Sequence, residues 1–439
     1  MKNSKLLVVC VAGLSPRILA RMRASDSNLD TYLSRCQVKP LTPVFPAVTM
    51  PVQASMLTGV SPANHGCVSN SRFNRRTMNF DSWEQAATLL QAPMFWQKPE
   101  FASKRIGTVC WQFSFYNDAK YVISPAPIHA RDGTTISNLY AEPEELSEIL
   151  EGEFGEFPLK HYWGPFTGPP ATEWIVLATN YMILDYSPDV LLTYLPLLDC
   201  TLQREKHSSK KVDEDIATLC KLLGKLLGFA QRKKYSVILL SEYGITEVDS
   251  AVNINKYLRE KGHLKVRSGR GYDVIDPYYS TAWALVDHQV AQVFVRREDK
   301  IAEVAGDLEK LSGVEAVLDQ KRQQKLKMAT NEGAELVCVS EPRSWFNYHY
   351  WVDNAMMPPF ARTVDIHSKP GYDPLELFFN RTTMSVETSN TSLVKGSHGR
   401  FPTDPQDGGV FICTEQVLPA KSHAFSAEDL PSVIAKLVL

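Results

Sequence analysis

Residues Phe45–Gly59 read FPAVTMPVQASMLTG, and His65-Gly66 follow shortly after. Proline is tolerated in the first turn of a helix and glycine commonly ends one, so the pattern predicts a short helix with Thr49 at its N-cap. The unpaired N–H groups and positive partial charge of a helix N-terminus favour a phosphate or another anion. A hydroxyl there is a candidate nucleophile, although Thr-x-Pro more often marks only a capped helix start.

The composition of the chain describes an ordinary globular protein. It has 439 residues, of which 44% are hydrophobic and 22% charged, and a net charge of −2. The length allows a large core plus an inserted lobe, and the absence of a basic field argues against nucleic acid as a partner. The N-terminal apolar run is too short for a signal peptide or a membrane span, and no CxxC pattern occurs. These features predict a cytoplasmic protein with reduced thiols and no membrane partner.

Apolar runs alternate with helix-like stretches along the chain. Leu6–Val11, Val190–Leu195 and Val237–Leu240 are continuously apolar, as expected of strands buried on both faces of a parallel sheet. Apolar residues recur at helical spacing from Ile216 to Ala230, which predicts a helix packed on that sheet. The fold class is therefore α/β.

A second unit is predicted inside this core. Val290–Val295, helix-like Ile301–Leu311 and Val314–Leu318 suggest a compact βαβ unit, extended by strand-like Leu336–Val339. We therefore expect a core of residues 1–249 and 351–439 and an inserted small α+β lobe of residues 250–350.

Five ordered segments resemble the alkaline phosphatase superfamily, in particular its type I phosphodiesterase/nucleotide pyrophosphatase branch. They are Phe45–Gly59, His65–Asn70, Pro188–Asp199, Val237–Gly244 and Gly396–Gly399. The resemblance implies an alkaline phosphatase-like core, with a mostly parallel sheet flanked by helices. It also implies a Thr49 nucleophile, an Asn70 amide that holds the phosphoryl oxygen, and metal binding at the positions of Asp199, Gln203 and His398.

Several ligands that the resemblance calls for are replaced in this chain. Ala12 follows the first strand where the family has Asp, and Gln203 stands where His is expected four residues after Asp199. Glu242-Tyr243 replaces an Asp-His pair. Because zinc sites use Cys, His and carboxylate ligands, we expect one weakly occupied divalent ion, with zinc as the expected metal, rather than a pair.

Two other segments are candidates to complete a metal site. Asp365 and His367 would share one face of a strand, in the region where the family's chain returns towards its metals. His207 lies eight residues after Asp199. Both have a plainer interpretation, since Asp-x-His is common by chance and His207 lies in a charged, loop-like segment.

Two classes of function remain open. In the first, the chain is a phosphoric ester hydrolase that acts on a small organic phosphate. Thr49 attacks phosphorus, Asn70 and Tyr243 contact the substrate, and Glu242 serves as the base.

In the second class, the chain is a catalytically silent relative that binds an anionic ligand or a protein partner. Thr49, Asn70 and His398 favour the enzyme, whereas Ala12, Gln203 and Tyr243 favour the silent relative. The sequence specifies neither the substrate nor the oligomeric state.

Overall fold

A computed structural model describes residues 5–129, 134–419 and 421–439. Its centre is a nine-stranded sheet. In spatial order the strands are Phe425–Ser426, Gln37–Thr42, Gly409–Cys413, Tyr235–Leu240, Lys5–Val11, Val190–Leu195, Ile106–Val109, Tyr121–Pro125 and Leu139–Glu142.

Strand Lys5–Val11 lies at the centre of the sheet. It pairs in parallel with Val190–Leu195 on one side and with Tyr235–Leu240 on the other. Apart from Lys5, every residue of these strands is buried, which explains their continuously apolar sequences. The predicted α/β class with a mostly parallel sheet is confirmed. Antiparallel strands are found towards the edges, where Gly409–Cys413 and Leu139–Glu142 run against their neighbours.

Helices cover the two faces of this sheet or pack within the lobe. Lys210–Arg232 carries the predicted apolar stripe on its buried face. The α-helices of the described residues are Pro16–Ser25, Ser27–Leu33, Thr49–Thr58, Pro62–His65, Glu145–Phe154, Pro169–Tyr181, Leu197–Arg204, Lys210–Arg232, Ile254–Glu260, Ile301–Leu308, Gln320–Lys325 and Leu430–Val438. In the part of the chain that is described, no helix is long and apolar enough to cross a membrane.

A smaller, four-stranded antiparallel sheet lies within residues 282–340. Its spatial order is Ala282–Asp287, Val290–Val295, Leu336–Ser340 and Val314–Leu318. The prediction of a compact βαβ unit is corrected here, because Leu336–Ser340 lies between the two strands that Ile301–Leu308 connects. Most residues of a second hydrophobic cluster belong to this lobe, but Phe73, Trp351 and Ala361 join it from outside the predicted boundaries.

Among the described residues, six short strand pairs lie outside the two larger sheets. They are Ser71–Asn74 with Asn79–Ser82, Ile128–His129 with Thr135–Ile136, Thr246–Glu247 with Gly396–Ser397, Ser250–Val252 with Ser344–Phe346, Val266–Gly269 with Tyr272–Ile275, and Phe379–Asn380 with Ser385–Val386. The pairing of Thr246–Glu247 with Gly396–Ser397 places His398 beside the chain that leaves the central sheet after Leu240.

Candidate active site

The helix Thr49–Thr58, hereafter the Thr49 helix, begins one position earlier than the sequence predicts. Val48 is the N-cap and provides no side-chain acceptor, so Thr49 is the first helical residue. Asn70 takes over the capping role, since its Oδ1 accepts a hydrogen bond from the Met50 N–H at 2.9 Å. Gly59, with a φ of 76°, ends the helix as predicted.

The Thr49 hydroxyl belongs to a chain of hydrogen bonds. Thr49 Oγ1 lies 2.9 Å from the Tyr243 hydroxyl oxygen, and the Tyr243 hydroxyl donates to Asp199 Oδ1 at 3.4 Å. A phenol has one hydrogen, so when it donates to Asp199 the Thr49 hydroxyl is the donor towards Tyr243. Burial raises the pKa of the Asp199 carboxyl above its ordinary value. Burial and the nearby Asp199 charge raise the pKa of Tyr243 well above its usual range, so the phenol is neutral.

Glu242 is fully buried and bonds a different residue of the Thr49 helix. Its Oε1 accepts from Gln53 Nε2 at 2.6 Å, and Gln53 Oε1 accepts from the Gln112 N–H at 2.9 Å. Burial is the main cause that raises the pKa of Glu242 to about 7, and the Asp199 charge adds to it. The sequence predicts Glu242 as the base for Thr49, but Glu242 bonds Gln53, and the hydroxyl that bonds Thr49 belongs to Tyr243.

Four rings stack in the region where the resemblance places the metals, and we call them the ring stack. The ring centroids of Tyr243 and His398 are 3.6 Å apart with planes at 8°, and those of His398 and His288 are 3.8 Å apart. His288 in turn stacks on Tyr372 at 3.8 Å. His398 Nδ1 bonds the Ala47 carbonyl at 2.9 Å. Burial lowers the pKa of His398 well below its ordinary value, so its ring is neutral.

The remaining predicted ligands bond one another. Gln203 Nε2 donates to Asp199 Oδ2 at 3.1 Å, and Gln203 Oε1 accepts from the Tyr372 hydroxyl at 2.6 Å. Ala12 offers no ligand atom, and the Asp199 oxygens already accept hydrogen bonds from Gln203 and Tyr243. Across the described ranges, no group of three or more His, Cys, Asp or Glu side chains is arranged to hold a metal ion. The residues present do not fit a pair of metal ions, nor the single ion that the sequence predicts.

Asp287 and His288 are site residues that the sequence analysis missed. Asp287 accepts from Asn70 Nδ2 at 3.0 Å, from the Asn70 N–H at 2.9 Å and from Ser69 Oγ at 3.0 Å. His288 Nδ1 lies 2.9 Å from Asp287 Oδ1. Both residues lie where Ala282–Asp287 turns into Val290–Val295, so the small lobe completes the site. The signal in the sequence was an Asp-His pair between two strand-like runs.

The predicted strand that carries Asp365 and His367 is wrong. This segment is a turn in which Asp365 Oδ1 accepts from the N–H groups of His367 and Ser368, at 3.1 and 2.9 Å. Tyr372, which lies a few residues further along the chain, contacts the ring stack instead of Asp365 and His367. Gly371 permits this approach, because a Cβ at this position, whose φ is 106°, would lie 2.0 Å from the Val286 carbonyl oxygen.

A polar cavity of about 540 Å³ lies beside the ring stack. Ala47, Tyr243 and His398 line it, whereas Thr49 and Asn70 are not among the lining residues. His207 also lines the cavity, and its backbone N–H donates to Glu247 Oε1 at 3.0 Å. This location places His207 at the entrance side of the site.

The type I phosphodiesterase / nucleotide pyrophosphatase profile matches residues 6–373. The chain belongs to this family. Type I phosphodiesterases are hydrolases that typically depend on divalent metals. A comparison with curated protein sequences finds no match.

Solved structures of this superfamily share the fold. Phosphonoacetate hydrolase from Sinorhizobium meliloti 1021, in complex with phosphonoacetate, has a TM-score of 0.66 and 15% identity, over 100% of this chain and 96% of that one. Murine ectonucleotide pyrophosphatase / phosphodiesterase 5 has a TM-score of 0.60 and 16% identity, over 99% and 95%. An inactive form of the murine protein in complex with AMP has a TM-score of 0.61 and 15% identity, over 99% and 94%. Identities of this size show the fold alone.

Proposed function

We propose that the protein is a phosphoric ester hydrolase that uses the Thr49 hydroxyl on a small organic phosphate and needs no metal for this step. The observation that carries the proposal is the hydrogen-bonded series Thr49–Tyr243–Asp199. As Thr49 Oγ1 bonds to phosphorus, its proton passes to Tyr243 while the Tyr243 proton passes to Asp199. The bond from phosphorus to the leaving oxygen breaks, and that oxygen takes a proton from water. A second water then hydrolyses the phospho-threonine, and Asp199 returns its proton to the hydroxide that the first water left.

Charge on the phosphoryl oxygens would be stabilised by groups at the start of the Thr49 helix. The N-terminus of this ten-residue helix carries partial positive charge. Asn70 Nδ2 donates one hydrogen to Asp287 and has a second hydrogen for the substrate. Thr49 is only 4% exposed, so a side chain that covers its hydroxyl must move to admit the substrate while Tyr243 keeps its hydrogen bonds to Thr49 and Asp199.

A second candidate function is favoured by the ring stack. The rings of Tyr243 and His398 lie between the polar cavity and the buried Thr49, as expected if the family's reaction has been lost and the cavity retained for binding. In this alternative the protein holds an anionic ligand or a partner protein without turnover. Cytoplasmic location, and a partner that is neither nucleic acid nor membrane, remain predictions from the sequence.

Initial rates on a panel of aryl phosphate monoesters and diesters distinguish the hydrolase from the binding protein. The rates are measured with EDTA and again with zinc, manganese or magnesium. For the hydrolase, we expect turnover that survives EDTA, is abolished in Thr49→Ala and is partly retained in Thr49→Ser. Tyr243→Phe keeps the stacked ring but removes the hydroxyl, so its rate should fall by at least tenfold, on the order of one lost hydrogen bond. Equal background rates for wild type and Thr49→Ala would exclude the hydrolase and leave the binding function.

A further inference from the structure

The polar cavity beside the ring stack has several cationic residues, and most of them are already neutralised. Arg17 bonds Asp404 and Asp407 at 3.0 and 2.9 Å, and Arg343 bonds Asp249 at 2.7 Å. These pairs lie at the exposed rim. They leave these two cations with little net attraction for a ligand.

Arg400 differs from the other cations of this cavity. Its side chain is only 10% exposed, and its Nη2 contacts Glu315 of the small lobe. Its Nε and Nη1 atoms are buried and have no hydrogen-bond partner. A buried guanidinium nitrogen without a partner costs free energy that an anionic oxygen would recover. Glu315 is 47% exposed, so water can solvate it if the guanidinium turns towards a ligand.

His207 provides a second, independent observation in the same cavity. Its Nε2 is also buried without a hydrogen-bond partner. Burial is the main cause that lowers the pKa of the His207 ring, which is neutral near pH 7. A neutral imidazole can still donate one hydrogen bond from Nε2 when the proton is on that nitrogen. Two residues on different loops, each with a buried nitrogen that has no hydrogen-bond partner, therefore line one cavity, and a small rotation of each side chain would present that nitrogen to a ligand.

We infer that this cavity is a binding site for the phosphate group of a small organic anion, with Arg400 and His207 as its donors. A phosphate group has three terminal oxygens, enough acceptors for both side chains, and the cavity of about 540 Å³ has room for an attached organic group. The site lies on the open side of Tyr243, away from Thr49. It therefore does not require that Thr49 be a nucleophile.

Isothermal titration calorimetry with inorganic phosphate, phenyl phosphate and acetate tests this site. We expect wild type to bind both phosphates more tightly than acetate, and Arg400→Gln to weaken phosphate binding by roughly tenfold, as expected for one charge-assisted hydrogen bond. His207→Gln should weaken binding several-fold. Arg343→Gln is the matched control: it removes the same charge from the same cavity but from a cation already paired with Asp249, and less than a roughly twofold change is expected.

Several outcomes would overturn the inference. They are no phosphate binding by wild type, acetate binding as tight as phosphate, or equal losses in Arg400→Gln and Arg343→Gln. Thermal unfolding checks that each variant is folded. If Arg400→Gln does not fold, the phosphate affinities of Arg400→Lys and His207→Gln are compared with that of wild type instead. The titration measures binding and not turnover, so a failed hydrolase proposal and a failed binding site give different results.

Discussion

At the scale of single residues, hydrogen bonds and ring stacking connect the side chains around Asp199. The Ala12 side chain has no atom that could bind a metal. Gln203 donates a hydrogen bond from its amide N–H to Asp199 Oδ2. Tyr243 provides a hydroxyl between Thr49 and Asp199 and a ring that stacks on His398. The polar atoms of the centre are thereby largely satisfied by protein groups, which stabilises the site in the absence of an ion.

Glu242 makes stability depend on pH in a predictable direction. Burial raises its pKa from the ordinary 4.5 to about 7, so the folded protein holds this proton more tightly than the unfolded chain does. The stabilisation is complete below pH 4.5 and is lost as the pH rises through 7. Between about pH 5 and pH 8, the unfolding free energy of wild type should fall by roughly 3 kcal/mol more than that of Glu242→Gln.

Urea denaturation across this pH range checks the effect of Glu242. Gln at position 242 keeps an oxygen acceptor for Gln53 but has no titrating group. The exposed Glu309 offers a control, because Glu309→Gln should leave the wild-type pH dependence unchanged. Parallel curves for wild type and Glu242→Gln would contradict the assignment.

At the scale of elements, the start of the Thr49 helix depends on a side chain from the following segment. Val48 cannot cap the helix, and Asn70 accepts from the Met50 N–H while donating to Asp287 of the small lobe. One amide thus connects the helix of the core to a turn of the lobe. Its removal would leave a buried N–H and a buried carboxylate each with one partner fewer.

Asn70→Ala should therefore lower the free energy of unfolding by roughly 2 to 3 kcal/mol, the sum of a lost cap and a lost hydrogen bond to a carboxylate. Chemical denaturation measures this loss. Asn64→Ala is the matched control, because Asn64 is exposed on the neighbouring short helix and its truncation should cost less than about 0.5 kcal/mol. Equal effects of the two substitutions would show that Asn70 does not cap the Thr49 helix.

At the scale of the whole molecule, the site forms where the lobe docks on the core sheet. Asp287 and His288 come from the lobe hairpin, and Tyr372 follows a chain segment that runs back against that hairpin at Gly371. The ring stack therefore contains rings from both units: Tyr243 and His398 come from the core, and His288 comes from the lobe. Packing of this stack stabilises the docked arrangement without requiring an ion between the two units.

The metal requirement of the whole protein follows from this arrangement. Protein purified without chelator should contain well below one zinc ion per chain. Neither EDTA nor added zinc should shift its melting temperature by more than about 2 °C, because a ligand that binds only the folded state would raise it. Elemental analysis and thermal unfolding measure the two quantities. A stoichiometric metal, or a large stabilisation by zinc, would contradict our interpretation of the ring stack.

Local sequence was sufficient for much of the fold. The runs Leu6–Val11 and Val190–Leu195 predicted central strands because a strand buried on both faces must be apolar along its whole length. The segment Thr49–Gly59 predicted its helix, with an error of one residue at the start, because proline and glycine restrict the backbone locally. The ordered motifs also identified the family and the neighbourhood of Thr49.

Only the tertiary structure decided which groups touch within that neighbourhood. Asn70 and Asp287 are separated by 217 positions, and Gln203 and Tyr372 by 169, so no local periodicity connects them. The sequence alone could show that Ala12 and Gln203 are poor ligands. It could not show that the rings of Tyr243, His288 and Tyr372 form one stack with His398, because that depends on how the lobe docks and on the directions in which buried side chains then point.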